Sequence, residues 1–197
     1  HASYIAQQYP DARTVVLGDS GAGVITQSFF DESLPNWDVE DLIPWWLDEL
    51  AGKALLELKM EDLYVAVANG HPSMRVAQYN TAFDKDQIFY YAAMGGDSDT
   101  WNAQMTAKVE ATETRAPSFR SFTAPGPVHC LTPYDFYYQR TVDGVRWVDW
   151  LRGMLNDETP PASVMCEGDG CLSDAICDAC ALDDTGLGCG WCDGWGE

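Results

Sequence analysis

The sequence predicts an α/β fold in which a mainly parallel sheet is flanked by helices, followed by a small disulfide-rich tail. Short apolar segments rich in β-forming residues alternate with longer segments of helical spacing. A glycine-rich turn at residues 18–23 directly follows the first of these apolar segments. Six of the seven cysteines fall between residues 166 and 192, in an acidic and glycine-rich stretch.

Composition and charge exclude several classes of partner. The chain has 197 residues, of which 46% are hydrophobic, enough for one domain with an appendage. Its formal net charge of −20 disfavours nucleic acid and anionic lipid, because both would be repelled. No apolar stretch reaches the roughly 20 residues that a membrane-spanning helix needs. Clustered cysteines in such an acidic chain are typical of a secreted protein.

The first elements lead into the glycine-rich turn. A helix is predicted over residues 2–8, a strand over residues 13–17, and a second helix beginning at Val24, directly behind the turn. The remaining elements follow in this order: helices at 38–50 and 54–60, strands at 63–68 and 76–80, helices at 86–94 and 101–114, a strand at 119–123, a helix at 145–155 and a linker at 157–162.

The glycine-rich turn contains a candidate nucleophile, Ser20. A serine on a strand-to-helix turn lies at the mouth of a sheet, where backbone N–H groups and the helix dipole can stabilise an oxyanion. The N–H of Gly21 would be one such donor. The spacing departs from the usual G-x-S-x-G, because Ala22 takes the fifth place and Gly23 follows it. A glycine-rich turn without a catalytic role is therefore the alternative.

A catalytic serine needs a base and a carboxylate that orients the base. The sequence has three histidines, and His129 lies in a Pro/Gly loop after the last predicted strand. Asp84 lies just past the strand predicted at 76–80. Loops at the carboxyl ends of parallel strands carry active sites in open α/β sheets. The order Ser20, Asp84, His129 is the order found in α/β-hydrolases, although a lone loop histidine can equally have a surface role.

Three segments resemble those of pectin acetylesterases and Notum-like carboxylesterases. Residues 18–23 (GDSGAG) resemble the family's nucleophile turn, G-C-S-A-G-G, with alanine and glycine exchanged. Residues 80–87 (NTAFDKDQ) resemble N-S-A-Y-D-x-x-Q, and residues 128–130 (VHC) resemble T-H-C. The resemblance covers about residues 1–155 and implies an α/β-hydrolase fold. It also implies a triad of Ser20, Asp84 and His129, without a metal or organic cofactor.

The resemblance also predicts the domain organisation. The family's upstream strands and glycine-rich oxyanion loop have no counterpart here, so residues 1–158 are predicted to be an N-terminally incomplete catalytic region. Residues 159–197 are predicted to be a linker and a stapled tail. Cys130 is similar to a family disulfide cysteine whose partner is not evident in this chain.

The implied activity is that of a secreted serine carboxylesterase or acetylesterase. Its substrate would be an O-acetylated polysaccharide or a lipid-modified protein, and the net charge counts against polyanionic pectin. Trp45 and Trp46 are candidates for a wall of the acyl pocket, with core packing as the alternative. The Gly-Asp-Ser of residues 18–20 also resembles GDS-type lipases, but the D-x-x-H of that family is absent.

A second hypothesis is a catalytically silent α/β-hydrolase scaffold that acts as an extracellular binding or adhesion protein. The irregular elbow and the missing oxyanion loop favour it, whereas the Ser, Asp and His of the triad oppose it. An upstream glycine-rich turn after an early strand would favour the enzyme.

The tail contains a C-x2-C-x8-C-x2-C pattern preceded by two further cysteines. Six cysteines suit three disulfides better than zinc, whose paired cysteines usually stand further apart. The run also resembles the opening of a plexin-semaphorin-integrin module, a small extracellular stapled domain. The disulfide candidates are Cys166, Cys171, Cys177, Cys180, Cys189 and Cys192.

Overall fold

A computed structural model describes residues 1–177 and Cys192. Its centre is a four-stranded sheet in which every pairing is parallel. The strand order is β1 (Val15–Asp19), β2 (Arg75–Thr81), β3 (Phe119–Ala124) and β6 (Val164–Met165), with a short antiparallel hairpin of β4 (Thr141–Val142) and β5 (Val145–Arg146). The predicted mixed α/β class with a mainly parallel sheet is confirmed.

Six α-helices surround the sheet in the described part of the chain. None of them is long and apolar enough to cross a membrane. They are α1 (Ala2–Gln8), α2 (Gln27–Ser33), α3 (Met60–Gly70), α4 (Lys85–Ala93), α5 (Trp101–Arg115) and α6 (Trp147–Asn156).

The sheet is covered by helices on both faces. Successive residues of a strand point to opposite faces, so Val76 packs with α3 and α5 while Ala77 packs with α6. The layer of α6 centres on Trp147, whose ring meets Tyr79 and Phe122 edge-on at 5.1 and 5.3 Å. This burial on both faces is what a parallel sheet requires.

The predicted strand at residues 63–68 is wrong, because these residues form the middle of α3. The carboxylate of Asp62 accepts the N–H of Lys59 at 3.1 Å and starts the helix there. Asp62, Val65, Ala66 and Ala68 are buried, a set that follows helical spacing. The alternating β-forming residues of LYVAVA therefore do not make a strand, because this segment buries one side of a helix.

The predicted helix at residues 38–50 is also wrong. This segment contains a single 3₁₀ turn at Glu40–Leu42 and otherwise non-helical turns. Ile43 is extended, with φ −73° and ψ 131°, because the ring of Pro44 disfavours a helical conformation in the residue before it. The apolar residues of this stretch still pack in the core, but without a regular helix.

Strand β6 lies beyond residue 158, where the predicted catalytic region ends. The segment predicted as linker and tail, residues 159–197, thus includes a strand that joins the main sheet beside β3, with Phe122 opposite Val164. A strand of two residues is too short to produce a periodic signal in the sequence.

Candidate active site

Ser20 occupies a sharp turn at the end of β1. Its N–H donates to the carbonyl of Tyr79 at 2.8 Å, which continues the ladder with β2. Its φ is 56°, in the left-handed region that residues with a Cβ rarely adopt. Backbone strain of this kind is concentrated at functional sites.

The glycines on either side of Ser20 allow the Tyr64 ring to approach the turn. A methyl group at Gly18 or at Gly21 would overlap the Tyr64 hydroxyl. The hydroxyl donates to the Gly21 carbonyl at 3.2 Å, and Gln78 Nε2 donates to the same oxygen at 3.1 Å. Glycine at these two positions therefore has a local cause in the packing of α3 against the turn.

The helix behind Ser20 begins later than the sequence suggests. Thr26 is its N-cap, with its Oγ1 accepting the N–H of Phe29 at 3.2 Å, and α2 starts at Gln27 instead of Val24. Residues 21–26 are not helical. The expectation that a helix N-terminus directly faces Ser20 is therefore wrong, and oxyanion stabilisation would depend on loop N–H groups.

Asp84 follows β2 by three residues and is fully buried. Its carboxylate caps α4 by accepting the N–H of Gln87 at 2.9 Å and the Gln87 side-chain amide at 2.8 Å. The same carboxylate lies 2.9 and 3.0 Å from Nδ1 of His129. Asp84 thus caps its own helix and at the same time is hydrogen-bonded to the imidazole that the sequence predicts as its partner.

His129 lies in the loop that follows β3, with its side chain 37% exposed. The hydrogen bond to Asp84 raises its pKa from 6.5 to about 10, with a smaller contribution in the same direction from the Cys130 side chain and an opposing one from burial. Because Nδ1 is bound to Asp84, Nε2 is the nitrogen left for a reacting group.

The loop of His129, residues 124–132, is joined to the loop of Asp84 by a series of hydrogen bonds. They run from the 81–85 segment to carbonyl oxygens of the His129 loop and lie between 2.8 and 3.0 Å. The donors are the N–H groups of Ala82, Phe83 and Lys85 and the Thr81 hydroxyl, and the acceptors are the carbonyls of Ala124, Gly126, Pro127 and Val128 respectively. The Asp84–His129 contact therefore rests on two loops that are hydrogen-bonded to each other.

Ser20 Oγ meets the same loop through the backbone. It accepts the N–H of Cys130 at 2.7 Å, and Cys130 adopts a left-handed φ of 60°. Among the hydrogen bonds of residues 1–177, none joins Ser20 Oγ to His129. The structure thus brings Asp84 and His129 into contact, and Ser20 Oγ contacts the residue that follows His129.

Asp19 is a site residue that the sequence reasoning missed. Its carboxylate accepts the N–H groups of Leu131 and Thr132 at 2.9 Å and the Thr132 hydroxyl at 2.6 Å. These bonds tie the loop of His129 to the residue before Ser20. The only signal in the sequence is an acidic residue beside the serine, which does not indicate a partner more than a hundred positions away.

The two predicted pocket tryptophans lie in the 38–50 segment. Trp45 is half-buried and its indole N–H donates to the Glu40 carbonyl at 2.8 Å. Trp46 is 46% exposed and packs edge-on against Tyr4 at 4.9 Å. Trp45 therefore packs against the core, whereas Trp46 does not, and neither lines the apolar cavity described below.

An apolar cavity of about 400 Å³ lies beside β1 and α3. Tyr4, Leu42, Gly18 and Tyr64 contribute to its lining, which includes none of the three triad residues. The cavity therefore does not by itself define where a substrate would meet Ser20.

The cysteines form two disulfides in the described part of the chain. Cys166 is bonded to Cys171, and Cys177 to Cys192. Cys180 and Cys189, also predicted to pair, lie outside the described residues. Cys130 forms no disulfide with a described cysteine. Because Cys177 and Cys192 are bonded to each other, they are not available as the thiolate ligands of a zinc site.

The fold and the site define a class of protein, a parallel α/β domain with an Asp–His pair and a serine at the carboxyl edge of its sheet. Comparison with protein-family models, with curated proteins and with solved structures found no match. Within residues 1–177 and Cys192, no three His, Cys, Asp or Glu side chains are grouped as a metal site.

Proposed function

We propose that this chain carries a serine carboxylesterase site of the α/β-hydrolase type, with Ser20, His129 and Asp84 as its triad. The observation that carries the proposal is the hydrogen bond between the buried Asp84 carboxylate and His129 Nδ1. The N–H of the residue after His129, Cys130, contacts Ser20 Oγ and so brings the serine to the same loop. The left-handed turn at Ser20 supports it as well.

Catalysis would require Ser20 Oγ to leave the Cys130 N–H and turn towards His129 Nε2. Catalytic hydrogen bonds are often open in the free enzyme and close only when substrate binds. Ser20 Oγ then bonds to the ester carbonyl carbon while its proton passes to His129. His129 returns that proton to the departing alcohol, and water cleaves the acyl-enzyme by the same steps to release the acid.

The oxyanion would be stabilised by backbone N–H groups of the two loops. The N–H of Gly21 has no acceptor among the described residues, so it is available for this purpose. The N–H of Cys130 becomes available when Ser20 Oγ turns away from it. Each oxyanion donor contributes about 3 kcal/mol to transition-state stability.

The proposed substrates are acyl esters of an O-acetylated polysaccharide or of a lipid-modified protein, by resemblance to pectin acetylesterases and Notum-like carboxylesterases. The two disulfides support secretion, because such bonds persist in oxidising compartments. The net charge of −20 favours a neutral substrate over a polyanionic one.

The test is covalent labelling by a fluorophosphonate probe, read by peptide mass spectrometry on the 197-residue protein. We expect an adduct on Ser20, and a rate about 10⁶-fold lower in His129→Ala. His71→Ala is the matched control, since it removes a histidine from the end of α3 and leaves the site intact. An adduct that forms equally fast in His129→Ala would contradict the mechanism.

A catalytically silent binding scaffold is the second candidate. Two observations favour it, namely the engagement of Ser20 Oγ by the Cys130 N–H and the displacement of α2 from the turn. The same labelling experiment separates the two functions. Folded protein without an adduct on Ser20 would favour the scaffold.

A further inference from the structure

We propose that the first loop of the cysteine-rich tail, residues 166–174, positions the His129 loop, and that Asp174 is its positioning residue. The proposal rests on the serine hydrolase function argued above. The tail would then be part of the active-site support and not only a stapled appendage.

The tail loop touches the His129 loop at Gly126. The N–H of Gly126 donates to the carbonyl of Cys171 at 3.0 Å. Gly126 has a left-handed φ of 83°, and a methyl group there would overlap the Cβ of Asp174. The carbonyl of Gly126 accepts the N–H of Phe83, the residue before Asp84. A single glycine therefore links the tail to the loop that holds the orienting carboxylate.

Asp174 is fixed by a buried ion pair. Its Oδ1 lies 2.8 Å from Nη1 of Arg140, and the two side chains are 1% and 2% exposed. The same oxygen accepts the N–H of Ile176 at 3.0 Å. Arg140 is anchored in turn, since its carbonyl accepts the N–H of Trp147 at the start of α6. The ion pair thus connects the tail to the helix that covers the sheet.

The other end of the tail loop is attached to the sheet. The N–H of Cys166 donates to the carbonyl of Thr123 at 3.0 Å, one residue before the His129 loop begins. The disulfide to Cys171 closes the segment between the two contacts. The His129 loop is consequently held from three directions, by the Asp84 loop, by the Asp19 carboxylate and by the tail.

The variant that tests the proposal is Asp174→Asn, which removes the charge opposite Arg140 at nearly constant volume. Asp169→Asn is its control, because Asp169 is an exposed acidic residue of the same tail loop. Three quantities are measured: the maximal rate of Ser20 labelling, the pH at which labelling is half-maximal, and hydrogen exchange of residues 124–132 against β1 and β2.

We expect Asp174→Asn to lower the maximal labelling rate at least about tenfold, since small displacements of a catalytic group have effects of this size. The half-maximal pH should move down, because a looser His129 loop weakens the contact between His129 and Asp84. Cys130, the other group that raises the pKa of His129, is its direct neighbour in the same loop. Exchange should rise in residues 124–132 and stay constant in β1 and β2, while Asp169→Asn leaves all three quantities as in the parent.

The proposal is overturned if Asp174→Asn keeps the parent rate and half-maximal pH, or if exchange rises equally throughout the sheet. Should Asp174→Asn not fold, Cys166→Ser/Cys171→Ser opens the same loop without leaving a buried charge, and the same criteria apply to it. If the parent protein is not labelled at all, the hydrolase function fails. Hydrogen exchange then still decides whether the tail holds the His129 loop.

Discussion

At the scale of single residues, the proposed mechanism makes the reactivity of Ser20 depend on the protonation state of His129. The contact with Asp84 raises the pKa of His129 to about 10, so the imidazole is protonated at neutral pH and cannot accept the serine proton. We expect the labelling rate of Ser20 to rise from neutral pH up to about pH 10.

The control for this pH dependence is Asp84→Asn. Without the carboxylate the pKa of His129 returns towards 6.5, so the rise of the labelling rate with pH should move to lower pH while the maximal rate falls. A labelling rate of the parent protein that does not change between pH 6.5 and about pH 10 would contradict the assignment of His129 as the base.

The same pKa shift makes the stability of the fold depend on pH. The Asp84–His129 ion pair stabilises the fold fully below the unfolded pKa of 6.5, and this stabilisation is lost as the pH rises through about 10.

Asp19 permits a second prediction at this scale. Asp19→Ala leaves the N–H groups of Leu131 and Thr132 without their carboxylate acceptor, which should lower the free energy of unfolding by about 2–3 kcal/mol. Urea denaturation measures this loss. Asp11→Ala, an exposed acidic residue before β1, should change stability by less than about 0.5 kcal/mol. Equal stability of the two variants would show that Asp19 does not fasten the loop.

At the scale of elements, the start of α2 depends on one side chain. Thr26 Oγ1 accepts the N–H of Phe29 and donates to the carbonyl of Met94 at 2.9 Å. Thr26→Ala should lower the free energy of unfolding by about 1 kcal/mol, whereas Thr26→Ser keeps the hydroxyl and should lower it by less. Thermal unfolding of the two variants measures the difference, and identical midpoints would argue against the cap.

The elements that could be predicted from sequence are those with an unambiguous period or composition. Strands β2 and β3 and helices α5 and α6 are found close to their predicted bounds. Residues 63–68 could not be predicted, because small and β-branched side chains suit a strand and equally suit the sheet-facing side of α3. The helix predicted at 38–50 does not form because Pro44 keeps the residue before it extended. The prediction gave more weight to the helical spacing of the apolar residues than to this proline.

The candidate site was accessible to sequence reasoning through the scarcity of histidine and through the places that its residues take after predicted strands. Asp84 and His129 could be singled out because few histidines exist and both residues follow strands, and the structure brings them into contact. Asp19 and the Cys130 N–H belong to the site through contacts between segments far apart in the sequence. The Asp19 carboxylate binds the N–H of Leu131, and the Cys130 N–H binds Ser20 Oγ. A sequence contains no local pattern for such contacts.

At the scale of the whole molecule, stability depends on cross-links in the tail. The Cys177–Cys192 disulfide closes a loop of 15 residues, which by chain entropy stabilises the fold by about 3 kcal/mol. Cys177→Ser/Cys192→Ser should lose up to that amount in urea denaturation. The parent protein measured with and without a thiol reductant is the control, and a double variant as stable as the oxidised parent would contradict the estimate.

The contact between Gly126 and the Cys171–Asp174 segment also has a consequence for biosynthesis. A chain leaves the ribosome from its amino end, so the proposed triad residues Ser20, Asp84 and His129 all emerge before the segment that contacts the His129 loop. If the tail positions the base, the nascent chain carries all three reactive groups without a working site. Hydrolytic activity would then switch on only after residues 166–174 have been synthesised and Asp174 has reached Arg140.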